Sequence, residues 1–320
     1  SMVIEGSVPI MTPEPYAWSP IPGTDEVRIY PIIRKPSVLC SNTYIIKSPR
    51  LFIVIDPGTD SEQIEHTRRI IMELQGEQTI PVFIFLTHCH IDHFLAVHLL
   101  MDQTPNGKII CHPITADAIE KRDEHVTLAN MNGSVLPVCE VRDCFFHPEG
   151  KTVITEERPL DIEKGVVEME NGEILQSHVI QLGEKDRMEI IHTPGHSPDS
   201  VCYIVGRCIF TGDLHLATSP GIAGKHGWDN NKLAASLKAV AKIGRMKGIA
   251  YILPGHGNAM DFVRAEQILL ASSEVAQRLT DLILFDRERS VYLSEYAIVL
   301  LEEASSIFST IAAQLLKISY

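Results

Sequence analysis

The chain has 320 residues, of which 45% are hydrophobic, and a formal net charge of −13. This length is enough for one large core with an appended segment, and the hydropathy is typical of a globular protein. The acidic balance and the lack of a basic stripe argue against nucleic acid as a partner, because clustered Lys and Arg dominate such binding.

Membrane insertion and disulfide bonding are not indicated by the sequence. No apolar run approaches the roughly 18 residues that a membrane span needs, and the first residues lack a charged segment followed by an apolar one. The seven cysteines are an odd number without the spacing of a disulfide framework, which indicates a reducing compartment. We therefore expect a cytoplasmic protein with no membrane contact. The oligomeric state stays open, and a homo-oligomer is one alternative.

The first part of the chain is predicted to hold an irregular arm followed by three strands. Residues 1–25 contain several prolines and no hydrophobic period, and Ser1 is interpreted as a cloning remnant. From residue 26 the pattern changes to short apolar runs bounded by turn residues, which is typical of β-strands. These runs lie at residues 27–33, 42–46 and 51–55.

A carboxylate, Asp56, directly follows the third run and precedes a Pro-Gly turn. Helical spacing predicts a helix at 61–76, and the apolar run 81–86 predicts a strand buried on both faces. Strand and helix in alternation are typical of a layered α/β domain. We expect Asp56 to hydrogen-bond the loop after residue 86, and direct contact with a metal is the alternative.

Three histidines and an aspartate fall within six residues after this buried strand, namely His88, His90, Asp92 and His93. His88 and His90 are two residues apart and project to the same side, while the other two follow as the chain turns into a helix predicted at 94–100. One tetrahedral ion takes three or four protein ligands, so this cluster with further ligands downstream suits two ions. The alternative, surface histidines with a helix-capping Asp92, explains only one of the four residues.

Three later strands end in turns that contain Gly or Pro and that each present one more candidate ligand. These ligands are His196, Asp213 and His256. Because sites form at the carboxyl ends of strands in open α/β sheets, we expect the three side chains to join the first cluster.

The remaining segments predict the elements around these turns. A strand at 108–111 and a short helix from Thr115 precede residues 123–180, where frequent Gly and Pro predict an insertion of small strands and loops near the mouth of the site. A helix is predicted at 230–246. From 262 to 320 the apolar residues recur at helical spacing, which predicts a C-terminal helical appendage.

The ordered motifs, from Asp56-Pro57-Gly58 to the turn with His256, resemble those of the metallo-β-lactamase superfamily over residues 26 to 260. The resemblance implies an α/β fold, the αββα sandwich, in which two β-sheets lie face to face with helices outside and metals at one edge. The domain would then cover residues 26–261, with the insertion at 123–180 and the helical appendage at 262–320.

The resemblance also implies how the ligands are shared between two divalent metal ions. His88, His90 and His196 would bind the first ion, and Asp92, His93 and His256 would bind the second. Asp213 would bridge the two ions. This complete set is similar to those of the glyoxalase II, lactonase and ribonuclease Z branches of the superfamily.

The chemistry of this ligand set predicts a dinuclear metal-dependent hydrolase. Zinc is the expected metal, with iron or manganese as alternatives, because one His and Asp ligand set serves all three. A hydroxide that bridges the ions would attack a small ester, thioester or lactone. Asp92 would orient this nucleophile and pass on a proton. His215, two residues after Asp213, would donate a proton or contact substrate, and the alternative is a structurally bonded histidine.

Three other functions stay open at this point. The first is a metal-dependent phosphodiesterase, which would need cations near the site, and Lys225 and Arg207 are the candidates. The second is a mononuclear iron dioxygenase that oxidises a sulfur compound. The third is a non-catalytic metal-binding sensor. His226 and Trp228 are weaker candidates for the lining of the entrance to the site.

Overall fold

The apolar runs of the N-terminal half form one seven-stranded sheet. The structure is a computed structural model that describes residues 12–34, 40–77, 80–101, 108–131, 133–139, 141, 143–144, 151–154, 159–169, 172, 174–216, 219–221, 223 and 227–287. The strands of this first sheet are β1 (Ser19–Pro20), β2 (Arg28–Ile32), β3 (Thr43–Lys47), β4 (Phe52–Ile55), β5 (Val82–Phe85), β6 (Lys108–Cys111) and β7 (Asp143–Cys144). They lie side by side in chain order, antiparallel from β1 to β4 and parallel from β4 to β7.

The helices of this half connect the parallel strands of the first sheet. They are α1 (Ser61–Glu77), α2 (Ile91–Phe94), α3 (Val97–Met101) and α4 (Pro113–Glu120). A crossover between parallel neighbours, such as α1 between β4 and β5, has to lie on a face of the sheet. The bounds of these elements agree with the sequence. The strands predicted in this half and the helix predicted at 61–76 are confirmed within one or two residues at each end.

The single helix predicted at 94–100 is wrong, because the structure has two short helices, α2 and α3, in its place. The Pro-Gly turn after Asp56 interrupts the helical hydrogen bonds. Gly58 N donates to His93 O at 3.0 Å, and Ala96 N donates to Gly58 O at 3.0 Å. An N–H group that donates to a neighbouring loop, as that of Ala96 does, cannot also donate within the helix, so the chain bends between Phe94 and Val97.

The C-terminal half forms a second sheet of eight strands, a small two-stranded ribbon and two helices. In chain order these elements are β8 (Lys151–Ile154), β9 (Pro159–Glu168), β10 (Ile174–Gln181), β11 (Arg187–His192), β12 (Val201–Val205), β13 (Cys208–Gly212), β14 (His215–Leu216), β15 (Ser219–Pro220), α5 (Asn230–Met246), β16 (Tyr251–Pro254), β17 (Met260–Asp261) and α6 (Phe262–Arg287). The strand order of the sheet is β17-β16-β13-β12-β11-β10-β9-β8, and β14 pairs with β15. Among its described strands, only β13 and β16 are parallel neighbours.

Side chains of the second sheet alternate between two hydrophobic clusters. In β12, Tyr203 joins the cluster between the sheets, whereas its neighbours Cys202 and Ile204 face the helices α5 and α6. Across the sheets, the rings of Phe85 and Tyr203 lie 5.8 Å apart. This period of two buries both faces of the strand, as its continuous apolar sequence predicts. The αββα sandwich is therefore confirmed.

Two segments differ in detail from what the sequence predicts. Between residues 123 and 180 the structure has two long paired strands, β9 with ten residues and β10 with eight. At the C-terminus, α6 packs against α5 as one helix of 26 residues, and residues 288–320 lie outside the described part of the chain.

No described helix is long and apolar enough to cross a membrane. The six cysteines with described side chains are free thiols.

Candidate metal centre

The seven predicted ligands lie together at one end of the two sheets and form two clusters. In each cluster the potential ligand atoms lie within 4.8 Å of one another. The first cluster is His88, His90 and His196, and the second is Asp92, His93, Asp213 and His256. The clusters adjoin, because the rings of His88 and His93 are 4.2 Å apart and Asp213 Oδ2 lies 3.7 Å from His196 Nε2. Asp213 thus lies between them.

Strand ends bring these side chains together from distant parts of the sequence. The loop after β5 and the helix α2 that follows it carry two ligands each, and the turns after β11, β13 and β16 carry one each. β13 and β16 are parallel, so their carboxyl ends place Asp213 and His256 side by side. Gly255 has to be a glycine here, because a Cβ at that position would lie 2.4 Å from Asp213 Oδ1.

Asp56 holds the loop that carries the histidines, as the sequence predicts. Its Oδ1 accepts a hydrogen bond from Thr87 N at 2.8 Å, and its Oδ2 accepts one from Thr87 Oγ1 at 2.7 Å. The same Oδ2 lies 2.8 Å from His93 Nδ1. Asp92, in contrast, does not cap a helix: it lies inside α2, and its Oδ2 is 2.8 Å from His256 Nε2. The capping alternative for Asp92 is therefore wrong.

Hydrogen bonds behind the clusters determine which ring nitrogen of three histidines carries the proton. His93 Nδ1 faces the Asp56 carboxylate, and His196 Nδ1 lies 2.9 Å from the acceptor Gly221 O. His88 Nδ1 is 3.0 Å from Thr87 Oγ1, whose own hydrogen is donated to Asp56. Each Nδ1 is thus a donor, which leaves each Nε2 as the nitrogen that faces the centre and can bind a metal once it carries no proton. This is the arrangement that orients histidine ligands of metals.

Two histidines of the first cluster differ in charge from the groups of the second cluster. Burial, and then the charge of neighbouring imidazoles, holds the pKa of His88 well below its usual value. Burial and the nearby His196 lower the pKa of His90 to about 4. These rings are therefore neutral at neutral pH, as ligands must be.

In the second cluster, interactions between opposite charges outweigh burial. Burial disfavours the charged form of His93, but the charges of Asp92, Asp213 and Asp56 together raise its pKa well above the usual value. Burial also disfavours ionised Asp213, yet the charges of His93 and His256 keep its pKa low. The two carboxylates of this cluster therefore require a positive charge between them.

The donor atoms fit divalent metal ions. Three buried atoms in the clusters make no hydrogen bond to any described residue, and these are His88 Nε2, His93 Nε2 and Asp213 Oδ1. His93 Nε2 is 3.3 Å from both Asp92 Oδ2 and Asp213 Oδ1. Lone pairs at this distance repel each other unless a proton or a cation lies between them. Imidazole nitrogen with carboxylate oxygen is a ligand set for zinc, iron or manganese.

The other candidate residues lie outside the two clusters. His215 is fully buried at the start of β14, with its Nε2 3.4 Å from Thr211 Oγ1, and its catalytic role stays a prediction. Trp228 is half-buried. It lies beside the turn with His196, since the N–H of the next residue, Asp229, donates a hydrogen bond to Gly195 O. Lys225 and His226 lie outside the described residues.

Arg207 is the other cation considered for a phosphodiester substrate. It lies at the opposite end of β13 from the clusters. It precedes that strand, whereas Asp213 follows it, and its Nε donates to Gly248 O at 2.6 Å. Arg207 therefore supplies no cation to the centre.

Sequence reasoning missed two buried polar residues that hold the turns with the ligands. Asn42 donates through Nδ2 to Gly257 O at 2.7 Å and to Pro254 O at 3.1 Å, on both sides of His256. Asp199 accepts a hydrogen bond from Cys89 N at 2.8 Å. A signal for both exists in the sequence, since each is a polar residue beside an apolar strand, but their partners are more than 100 positions away.

Comparisons with known proteins agree with this geometry. A sequence profile described as the Metallo-beta-lactamase superfamily matches residues 38–256, which is more than half of the chain. The probable metallo-hydrolase MJ0888 of Methanocaldococcus jannaschii is 29% identical over 224 residues, which are 69% of this chain and 89% of that protein.

Solved structures share the fold. The metallo-beta-lactamase from Pontibacter korlensis has a TM-score of 0.51 and 15% identity, over 81% of this chain and 98% of that one. The BLEG-1 B3 metallo-beta-lactamase has a TM-score of 0.50 and 21% identity, over 75% of this chain and 96% of that one. At these identities the likeness concerns the fold alone.

Proposed function

The chain belongs to the metallo-beta-lactamase superfamily, and from this premise we propose that it is a dinuclear metal-dependent hydrolase of a small ester, thioester or lactone. The observation that carries the proposal is the pair of adjoining clusters with Asp213 between them. The printed name of the relative from Methanocaldococcus jannaschii, a probable metallo-hydrolase, supports the same class of reaction.

The residues of the two clusters have separate tasks in this proposal. His88, His90 and His196 would hold one divalent ion, and Asp92, His93 and His256 would hold the other, with Asp213 shared. Bound divalent ions would lower the pKa of a coordinated water from about 15.7 to near 7 and would polarise the carbonyl oxygen of the substrate. Zinc is the first choice for both ions, and iron and manganese suit the same ligands.

Asp92 is the proposed acid and base of the reaction. Its Oδ2 lies 2.8 Å from His256 Nε2, which leaves Oδ1 for substrate or water. Burial opposes ionisation of Asp92, but the charge of His93 and the hydrogen bond from His256 keep its pKa well below the usual range. The ionised carboxylate can therefore accept a hydrogen bond from the attacking water and orient it, and in this proposal it also passes a proton to the leaving group.

The small-molecule substrate is supported by the charge of the chain and by the position of Arg207. A phosphodiester or a nucleic acid would require cations beside the centre. The net charge of −13 argues against such substrates. The hydrogen bond from Arg207 to Gly248 O, at the other end of β13, argues against them as well.

Elemental analysis and a substrate panel test this proposal. Protein purified without added metal should contain two ions per chain and should hydrolyse at least one chromogenic ester, thioester or lactone. Asp213→Asn should lose both an ion and turnover. Asp186→Asn is the matched control, because Asp186 is a buried carboxylate that accepts hydrogen bonds from Asp25 N and Glu26 N away from the clusters.

The other outcomes of this test each contradict the proposal. Turnover of phosphodiesters alone would indicate a phosphodiesterase. A single iron per chain, with oxygen uptake on addition of a sulfur compound, would indicate the dioxygenase. Two ions with no turnover anywhere in the panel would indicate a sensor.

A further inference from the structure

Asp199 is a fully buried carboxylate that joins the two loops of the first cluster. It lies three residues after His196. Its Oδ2 accepts hydrogen bonds from Cys89 N at 2.8 Å and from Thr115 Oγ1 at 2.6 Å. Cys89 is the residue between His88 and His90. One carboxylate therefore connects the turn with His196 to the backbone that carries the other two histidines.

Asp56 and Asp199 hold the same loop at two points. Asp56 accepts a hydrogen bond from Thr87 N, and Asp199 accepts one from Cys89 N, two residues further along. Asp56 also contacts the second cluster directly, through His93 Nδ1. The two carboxylates thus hold the backbone on either side of His88.

Hydrogen bonding alone does not account for a charge at this position. A neutral amide oxygen could accept the same two bonds, and a buried carboxylate costs far more to remove from water than an amide does. Burial opposes ionisation of Asp199, but the neighbouring polar groups of Ser197, Thr115 and Cys89 outweigh it and lower its pKa. A positive charge nearby would stabilise such a buried negative charge further.

A metal ion bound by the first cluster would be such a positive charge, and it would lack a negatively charged partner. Its three ligands are all imidazoles, whereas the second cluster contains two carboxylates, Asp92 and Asp213. A divalent ion bound by three neutral rings keeps its full charge, apart from the share of Asp213. A carboxylate just behind the cluster would stabilise that ion by charge as well as by geometry.

We propose that Asp199 is a positioning residue of the first metal site, where it orients the three histidines and supplies the negative charge that this cluster lacks. This inference rests on the proposed two-ion centre. It assigns Asp199 no contact with substrate.

The test is a titration of the metal-free protein with Co²⁺ or Zn²⁺, followed by calorimetry and by the visible spectrum of the Co²⁺ form. Asp199→Asn keeps an oxygen acceptor for Cys89 N and Thr115 Oγ1 but removes the charge. One of the two ions should bind about 10- to 100-fold more weakly in this variant, as for other residues behind metal ligands, while the other ion binds as in the wild type. Only one component of the Co²⁺ spectrum should change.

Two further variants make the result decisive. Asp186→Asn removes a buried carboxylate that also accepts backbone hydrogen bonds, and it should leave the binding of both ions unchanged. Thr115→Val removes the hydroxyl donor of Asp199 and keeps its charge, so it should weaken the same ion by a smaller factor. If Asp199→Asn does not fold, the affinities in Thr115→Val decide.

The failure of this inference differs from the failure of the proposed function. Suppose that the wild type binds two ions and that both variants, Asp199→Asn and Thr115→Val, bind each ion as tightly as the wild type does. Asp199 is then a structural residue only, and the inference is overturned. If the wild type binds a single ion, the dinuclear function is overturned, but the affinity of that ion in Asp199→Asn still decides the inference. A wild type that binds no ion overturns both.

Discussion

Proton positions in the candidate centre are set by residues that belong to neither cluster. The carboxylate of Asp56, the hydroxyl of Thr87 and the carbonyl of Gly221 each face the Nδ1 of one histidine. Since the hydrogen bond of one ring nitrogen fixes the role of the other, these three groups prepare three Nε2 atoms for a metal. The ligand histidines therefore depend on their supporting partners as much as on their own strand ends.

His112 is a histidine outside the centre whose protonation acts on the fold. Its Nδ1 accepts a hydrogen bond from Ile114 N at 3.2 Å and so caps α4. Its ring stacks on His192, with centroids 4.9 Å apart. Burial, followed by the charge of His192, lowers the pKa of His112 to about 4. The folded state thus favours the neutral ring.

The low pKa of His112 predicts a loss of stability in acid. The value in the unfolded chain is about 6.5, so the contribution is complete above about pH 6.5 and is lost as the pH falls towards 4. The loss between pH 7 and pH 4 is about 3 kcal/mol. His112→Asn keeps a capping oxygen and removes the titration. In urea unfolding from pH 7 to 4, the free energy of unfolding should therefore fall less in the variant than in the wild type. Parallel curves for the two proteins would contradict the pKa assignment.

Helix α5 fixes the turn that presents His196. Asp229 caps the helix through its bond from Lys232 N at 3.0 Å, and its own N donates to Gly195 O. Further along, Ser236 Oγ donates to Pro194 O at 2.7 Å. The helix is thereby hydrogen-bonded to the two consecutive residues just before His196. The position of His196 is a property of this helix and strand pair and not of the turn alone.

Gly195→Ala should separate the helix from the turn. Gly195 has φ +144°, and an added Cβ would lie 2.3 Å from Leu233 Cα and N, which are backbone atoms. Gly248→Ala is the matched control, since that glycine has φ +62° and nothing within 4 Å of its Cβ position. The control should cost about 1–2 kcal/mol of unfolding free energy through backbone strain. Gly195→Ala should cost about 1–3 kcal/mol more through overpacking.

Urea unfolding measures both costs, and a metal titration measures the effect on the centre. Gly195→Ala should also weaken the ion of the first cluster, because His196 moves with the turn, whereas Gly248→Ala should not. Equal losses of stability in the two variants would show that the helix yields to the extra methyl group at no cost.

At the scale of the whole molecule, the centre joins the two sheets. Four of the predicted ligands follow β5 of the first sheet, and His196, Asp213 and His256 follow strands of the second. Bound ions would therefore connect the two halves of the sandwich at one edge. Ligands that bind only the folded state stabilise it in proportion to the logarithm of their concentration.

Removal of metal should therefore lower the stability of the whole chain. Each ion at about 100 times its Kd should contribute about 2.7 kcal/mol, so the Tm should fall after treatment with a chelator and rise with added Zn²⁺. In Asp213→Asn the gain from added Zn²⁺ should be smaller, because a shared ligand is lost. A Tm that does not respond to chelator or Zn²⁺ would contradict a connection between the sheets through metal.

The αββα sandwich followed from the resemblance of the ordered motifs to the metallo-β-lactamase superfamily. The sequence by itself determined the strands β2 to β6, the helices α1 and α5 and the seven residues that meet at the edge of the sandwich. It could do so because these features depend on local patterns: apolar runs with a period of two or 3.6, turns rich in Gly and Pro, and ligand types placed directly after strands. The role of Asp56 was also predictable, since a carboxylate at a strand end faces the loop of the neighbouring strand.

Only the tertiary structure decided which residues support that edge. Asn42 acts on a turn more than 200 positions away, Asp199 acts on Cys89 across 110 positions, and His112 stacks on His192. The break between α2 and α3 likewise comes from Gly58 in another loop. Such contacts leave no periodic trace in the sequence, because one buried polar group and one backbone atom meet only after both sheets have packed.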